Sequence, residues 1–190
     1  MAHNDCMKTP LPLTLLALLL LAACACATAG RTPDAVTFVV VRHGEKTSDT
    51  EHDPELSAAG LERAQALARQ LADDDLVAVY TSDYRRTRQT AQPSAAAHRL
   101  EAVVYDAKLP ADEFARQLKA AHRHGTVLVA GHSNTVPGIV TALCACEVEA
   151  MPDSEYDRLS TIHVDADGRA RLVVGRYGAS SPSLLPLPSP

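Results

Sequence analysis

The chain has 190 residues, a formal net charge of −5 and no Trp, which suits one domain with a sizeable core. Its mildly acidic balance, with no basic run of five or more residues, argues against a nucleic-acid surface.

Lys8 precedes an apolar run over 11–23 that is too short to span a bilayer and ends in small residues, so residues 1–23 read as a signal peptide. Leu21-Ala22-Ala23-Cys24 resembles the lipobox of bacterial lipoproteins. That resemblance implies cleavage before Cys24, lipidation of its thiol, and a periplasmic protein anchored in a membrane. Ala25 after the cysteine points to the outer membrane. Ala27-Thr28-Ala29 offers an ordinary secretory cleavage site as the alternative. Residues 24–35 read as a tether.

A β-branched run over 36–41 is expected to be a buried strand of a parallel sheet, ending at Arg42-His43-Gly44. A polar loop leads to a helix with Ser57 as N-cap, Leu56 and Leu61 at staple spacing, and a core stripe of Leu61, Ala64, Leu67, Ala68 and Leu71. A strand over 77–81 precedes a helix capped by Ser82 and Asp83 that runs to about residue 98. Arg85, Arg86 and Arg88 lie in its first turns. Cations there oppose the helix dipole by roughly 0.3–1 kcal/mol each, a cost that a bound anion would offset. Three solvated arginines are the plainer alternative.

Next come a strand over 101–105, a helix over 112–124 closed by Gly125, a strand over 126–130, and a helix over about 134–144. Cys144-Ala145-Cys146 lacks the gap of a zinc or thioredoxin-like motif and is too close for an unstrained helical disulfide. Both thiols therefore read as buried small hydrophobes, with a bridge as the alternative in an oxidising compartment. Runs over 158–164 and 170–177 around Asp165-Ala166-Asp167-Gly168 signal a hairpin, and residues 178–190 read as a disordered tail. Strands alternating with helices indicate a mostly parallel sheet with helices on both faces.

Two strands thus deliver His43 and His132 to one sheet edge, where open α/β sheets bind ligands. Three stretches together, Arg42-His43-Gly44-Glu45, 82–91 with Arg86, and Gly131-His132-Ser133-Asn134, resemble the histidine phosphatase superfamily, the phosphoglycerate-mutase-like proteins. Leu56-Ser57-Ala58-Ala59-Gly60 resembles that family's first-helix signature. The resemblance spans 36–177 and implies a three-layer α/β/α sandwich around a mixed, mostly parallel six-stranded sheet with one antiparallel strand.

It also implies a phosphomonoester hydrolase in which His43 accepts the phosphoryl group and Arg42, Arg86 and His132 form the phosphate pocket. Neutral imidazole is a competent nucleophile near pH 7, and arginine forks match phosphate oxygens in pairs. A protonated His132 would stabilise charge on the equatorial oxygens. Glu45, Ser133 and Asn134 complete the expected binding set, although Ser133 and Asn134 could equally cap the following helix. Many relatives supply a Glu proton donor after the third strand. Here that segment offers only Asp106, Asp112 and Glu113, none within a recognisable signature, and the last two could simply favour a helix N-terminus. A missing donor would favour substrates with good leaving groups.

No cofactor or metal is expected. No His-x-Glu-x-x-His type spacing exists, and the arginines would repel a cation. Thr135 stands where a serine-hydrolase elbow requires Gly. The expected partners are a small phosphorylated substrate and, through Cys24, a membrane. The alternatives are a non-catalytic anion-binding envelope lipoprotein on the same fold and a phosphomutase, the latter disfavoured by the short chain.

Overall fold

The computed structural model describes residues 35–50 and 52–181. The signal-peptide, lipobox and Cys24 readings, nearly all of the tether and most of the proline-rich tail lie outside the described residues. The strands are β1 Val36–Arg42, β2 Leu76–Ser82, β3 Ala102–Tyr105, β4 Gly125–Gly131, β5 Arg158–Val164 and β6 Ala170–Arg176. They form one six-stranded sheet in the order β3-β2-β4-β1-β5-β6. The first four are mutually parallel, β5 pairs antiparallel with β1, and β6 pairs antiparallel with β5. Only β5 therefore runs against the rest, as the family resemblance implies.

The helices are α1 Ala58–Gln70, α2 Arg85–Ala97, α3 Ala111–Ala121 and α4 Val136–Cys144. Alternating side chains of the central strands feed two cores. Phe38, Val40, Val127 and Val129 pack with Phe114 and Leu118 of α3 and Ile139 and Leu143 of α4. Val39, Val41, Leu128 and Ala130 pack with Leu67 of α1 and Ala91 and Ala95 of α2. With both faces covered, β1 and β4 must be apolar almost throughout, which is why they read as continuous hydrophobic runs. The result is the expected three-layer α/β/α sandwich.

Four local expectations are corrected. Ser57 does cap α1, accepting from the Gly60 N–H at 3.3 Å, but Leu61 is 50% exposed and makes no core stripe. The inward positions are Gly60, Arg63, Ala64 and Leu67, because Arg63 is drawn inside by Glu45 and sets the helix rotation. Neither Ser82 nor Asp83 caps α2. The carboxylate of Asp53, far away in sequence, accepts the Arg85 N–H at 2.9 Å. Gly125 does not close α3, which ends at Ala121; it opens β4 at φ +72°, where a Cβ would lie 2.5 Å from Val77 Cγ1. Finally, Cys144 and Cys146 are joined by a disulfide, not held as free thiols. Only Cys144 is helical. Ala145 turns left-handed at φ +54° and brings the next cysteine back, with the two Cα atoms 5.2 Å apart.

Candidate active site

β1 and β4 are neighbours in register, with Arg42 opposite Gly131. The turn after each strand lifts an imidazole off the same carboxyl edge. The His43 N–H donates to the Gly131 carbonyl at 2.9 Å, and the His43 and His132 ring centroids are 5.4 Å apart. Backbone must pass close to backbone here. A Cβ on Gly44 would lie 2.9 Å from Gly60 Cα, and one on Gly60 would lie 2.2 Å from the Glu45 carbonyl oxygen. The Gly44 N–H donates to Thr90 Oγ1 at 2.8 Å, and that hydroxyl donates to the Arg86 carbonyl at 2.7 Å. The loop after β1, the start of α1 and the start of α2 are thus tied into one assembly.

A pocket of about 860 Å³ opens over this edge, lined by Arg42, His43, Arg86, His132, Ser133 and Asn134 among others. His43 is 4% exposed, and its Nδ1–H donates to the Gly44 carbonyl at 2.7 Å, which leaves Nε2 with its lone pair free. Burial, and then the charges of Arg42, His132 and Arg86, push this imidazole down to about 3. It is neutral, as a nucleophile must be. His132 Nδ1 lies 3.4 Å from Arg86 Nη2, which can only donate, so the proton sits on Nε2 and is given to Ser82 Oγ at 2.8 Å. Burial, then Arg86 and Arg42, push His132 down to about 4, so this ring too is neutral at pH 7 in this arrangement.

Arg42 is 4% exposed. Its Nη1 donates to the carbonyls of Pro152, Asp153 and Glu155 at 3.2, 2.8 and 3.0 Å. Its Nε is buried with no protein partner, and Nη2 is 3.8 Å from Asp153 Oδ1. One edge of the fork is therefore anchored, and the Nε/Nη2 edge remains for an oxyanion. Of the three arginines opening α2, Arg85 pairs with Glu55 and Arg88 with Asp83. Arg86 alone among them lines the pocket, 3.6 Å from Asp53 Oδ1. Each pocket guanidinium also lies over a tyrosine ring, Arg42 4.0 Å from Tyr156 and Arg86 4.4 Å from Tyr84.

The remaining expected residues divide. Ser133, Asn134 and Thr135 line the pocket, and Thr135 is also the N-cap residue of α4. Glu45 does not line the pocket; its carboxylate is held by Arg63 Nε at 2.9 Å and Nη2 at 2.7 Å. The segment after β3 contributes Ala107 and Lys108, but Asp106, Asp112 and Glu113 stay outside. Asp106 accepts the Lys108 N–H, and Glu113 engages Arg116 and Gln117. Tyr84, Tyr156, Asp53 and Asp153 were not anticipated; nothing in their spacing distinguishes them from loop residues. Among the described residues no group of three or more His, Cys, Asp or Glu could hold a metal ion.

A family model described as "Histidine phosphatase superfamily (branch 1)" matches residues 38–110. The uncharacterized protein Rv0525 of Mycobacterium tuberculosis is 40% identical over 79 residues, 36% of this chain and 37% of that protein. The match therefore spans little more than a third of the relative. The protein histidine phosphatase SixA complexed with tungstate superposes with a TM-score of 0.58 at 19% identity, covering 74% of this chain and 96% of that one. Phosphoglycerate mutase from Bacillus anthracis gives 0.59 at 16% identity, covering 75% and 93%. Family model and fold together support the histidine phosphatase superfamily. The fold is that of the phosphoglycerate-mutase-like proteins, and two of the stretches that carry the sequence resemblance, Arg42-His43-Gly44-Glu45 and 82–91, fall within the matched residues. His132 lies beyond them, joined to His43 by geometry.

Proposed function

We propose that this chain hydrolyses small phosphomonoesters through a phosphohistidine on His43. The observation that carries the reading is the fixed tautomer of His43. Its Nδ1 is engaged by Gly44, so Nε2 carries the free lone pair in a pocket lined by two guanidinium groups. Phosphoryl transfer needs little from a protein beyond an in-line nucleophile and charge neutralisation, and this site supplies both. A bound phosphate dianion would offset the two arginines and raise the basicity of His132, which could then donate to an equatorial oxygen. Structural neighbours include proteins described as SixA, a phosphoglycerate mutase and a glucosyl-3-phosphoglycerate phosphatase, so the fold accommodates several phosphorylated substrates.

The sequence of residues 1–29 further supports export and a lipid anchor on Cys24, which would place this chemistry in the cell envelope; labelling with a radioactive fatty acid, lost in Cys24→Ser, tests it. The hydrolytic reading is tested with p-nitrophenyl phosphate in the presence of EDTA, for the wild type and His43→Ala. EDTA-resistant turnover that vanishes in the variant, with acid-labile phosphate trapped on the wild type, is the expected result. Turnover that survives His43→Ala refutes the assignment.

A further inference from the structure

Transfer of a phosphoryl group to His43 leaves an oxyanion that needs a proton, and the segment after β3 places no carboxyl group in the pocket. The pocket-lining carboxylates among the described residues are Asp49 and Asp153. Asp49 pairs with Lys46 at 2.8 Å, so its carboxylate is committed to that ammonium.

Asp153 is held differently. Its backbone carbonyl accepts from Arg42 Nη1 at 2.8 Å, and its Oδ1 accepts from Ser133 Oγ at 2.9 Å and lies 3.8 Å from Arg42 Nη2. Ser133 is a neutral donor, so its hydrogen bond persists when the carboxyl group carries a proton on the other oxygen. Ser133 follows His132 and Arg42 precedes His43, so this carboxyl group is pinned between the neighbours of both imidazoles. The Asp153 side chain is 93% exposed, whereas His43 is 4% exposed. An in-line displacement puts the leaving oxygen opposite the attacking nitrogen, and Asp153 lines the same pocket as His43 with its side chain open to solvent.

We propose that Asp153 is the catalytic proton donor to the leaving oxygen, an assignment that rests on the phosphatase reading above. In the first step the His43 Nε2 lone pair forms the N–P bond. The ester P–O bond breaks with its electron pair on the leaving oxygen, which takes the proton of the Asp153 carboxyl group. In the second step water forms a new O–P bond, the N–P pair returns to Nε2, and the water proton passes to the Asp153 carboxylate. The sum is ester plus water giving alcohol plus phosphate.

The test is a series of substituted phenyl phosphates, from p-nitrophenyl to p-methoxyphenyl, for the full chain and Asp153→Asn. Asparagine keeps the Ser133 hydrogen bond and the backbone contact to Arg42 but has no acidic proton to give. Rate depends on phenol basicity only weakly when the leaving oxygen is protonated in the transition state. The variant is therefore expected to keep p-nitrophenyl turnover within about threefold and to lose about 100-fold on the p-methoxyphenyl ester. An equal loss across the series would show a positioning role through Arg42 and overturn the proposal. So would a wild type already as steep as the variant, or a variant unchanged on every ester. A wild type that turns over none of the esters would instead overturn the phosphatase reading beneath it.

Discussion

Arg63→Met is the perturbation that separates a structural Glu45 from a substrate-binding one. Arg63 is 3% exposed; its Nε and Nη2 hold the Glu45 carboxylate, while Nη1 and Nη2 donate to the carbonyls of Tyr177 and Ala179 at 2.9 and 2.8 Å. Methionine fills much of the volume but leaves the carboxylate and two carbonyls unpaired. Breaking a buried pair from one side costs about 3–5 kcal/mol. Glu45 retains 27% side-chain exposure, so water recovers part of that, and about 3 kcal/mol is the expected loss. That is a large fraction of the ~5–15 kcal/mol by which domains are stable. Urea denaturation of Arg63→Met, Glu45→Gln and the double variant measures it, with a coupling energy of at least about 1 kcal/mol expected between the two sites. Both single variants should also lower turnover, because the Glu45 carbonyl anchors the Ser57 N–H at the start of α1. A Glu45→Gln variant of unchanged stability with a raised KM would refute the structural assignment.

Asp53→Ala removes the acceptor for the Arg85 N–H and should cost about 1 kcal/mol in urea midpoint terms, as lost helix caps do. Gly60→Ala forces a Cβ to within 2.2 Å of the Glu45 carbonyl oxygen, so a loss of about 1–3 kcal/mol is expected in a thermal melt, and an unchanged midpoint would disprove the close approach. Neither His43 nor His132 should protonate between pH 8 and 5, which imidazole NMR reads directly, since their folded values are about 3 and about 4. Both lie below the unfolded value, so the unfolded chain binds more protons as pH falls from about 6.5 towards 4. Stability must fall with pH across that window by up to about 1.4 kcal/mol per unit for each histidine, and His43→Gln should flatten the slope.

The parts legible in the sequence are those set by local periodicity and by chemistry concentrated in short strings. The apolar runs over 36–41 and 126–130 read as strands covered on both faces, and each ends in a histidine, so a parallel sheet puts His43 and His132 on one edge; that they meet there depends on β1 and β4 being neighbours, which only the structure shows. Helix rotation was less legible. Leu61 has the right spacing for the core, yet an arginine outcompetes it because a carboxylate two residues after His43 pulls Arg63 inward. The α2 cap is hidden from the sequence for the same reason, its acceptor coming from Asp53 and not from the adjoining Ser82 or Asp83. The spacing of Cys144 and Cys146 excludes a bridge only if both stand on a helix, and the left-handed Ala145 takes Cys146 off it.

Long-range contacts set the helix rotation and the cap, and they also complete the site. The strings carrying His43, Arg86 and His132 are local, but what fixes their orientation is remote. Arg42 reaches the 152–155 carbonyls across 110 to 113 residues, and Arg63 reaches Tyr177 and Ala179 across 114 and 116. The loop so engaged is stiffened by its own charges. Glu155 pairs with Arg158 and Arg176, and Asp157 takes Arg176 and the Ser181 N–H. The anchored fork of Arg42 and the placement of Tyr156 and Asp153 thus depend on the segment that leads into β5, which pairs with β1. The proposed chemistry draws on the motif residues, but it is the last third of the chain, beyond the matched residues 38–110, that fixes Arg42 among them.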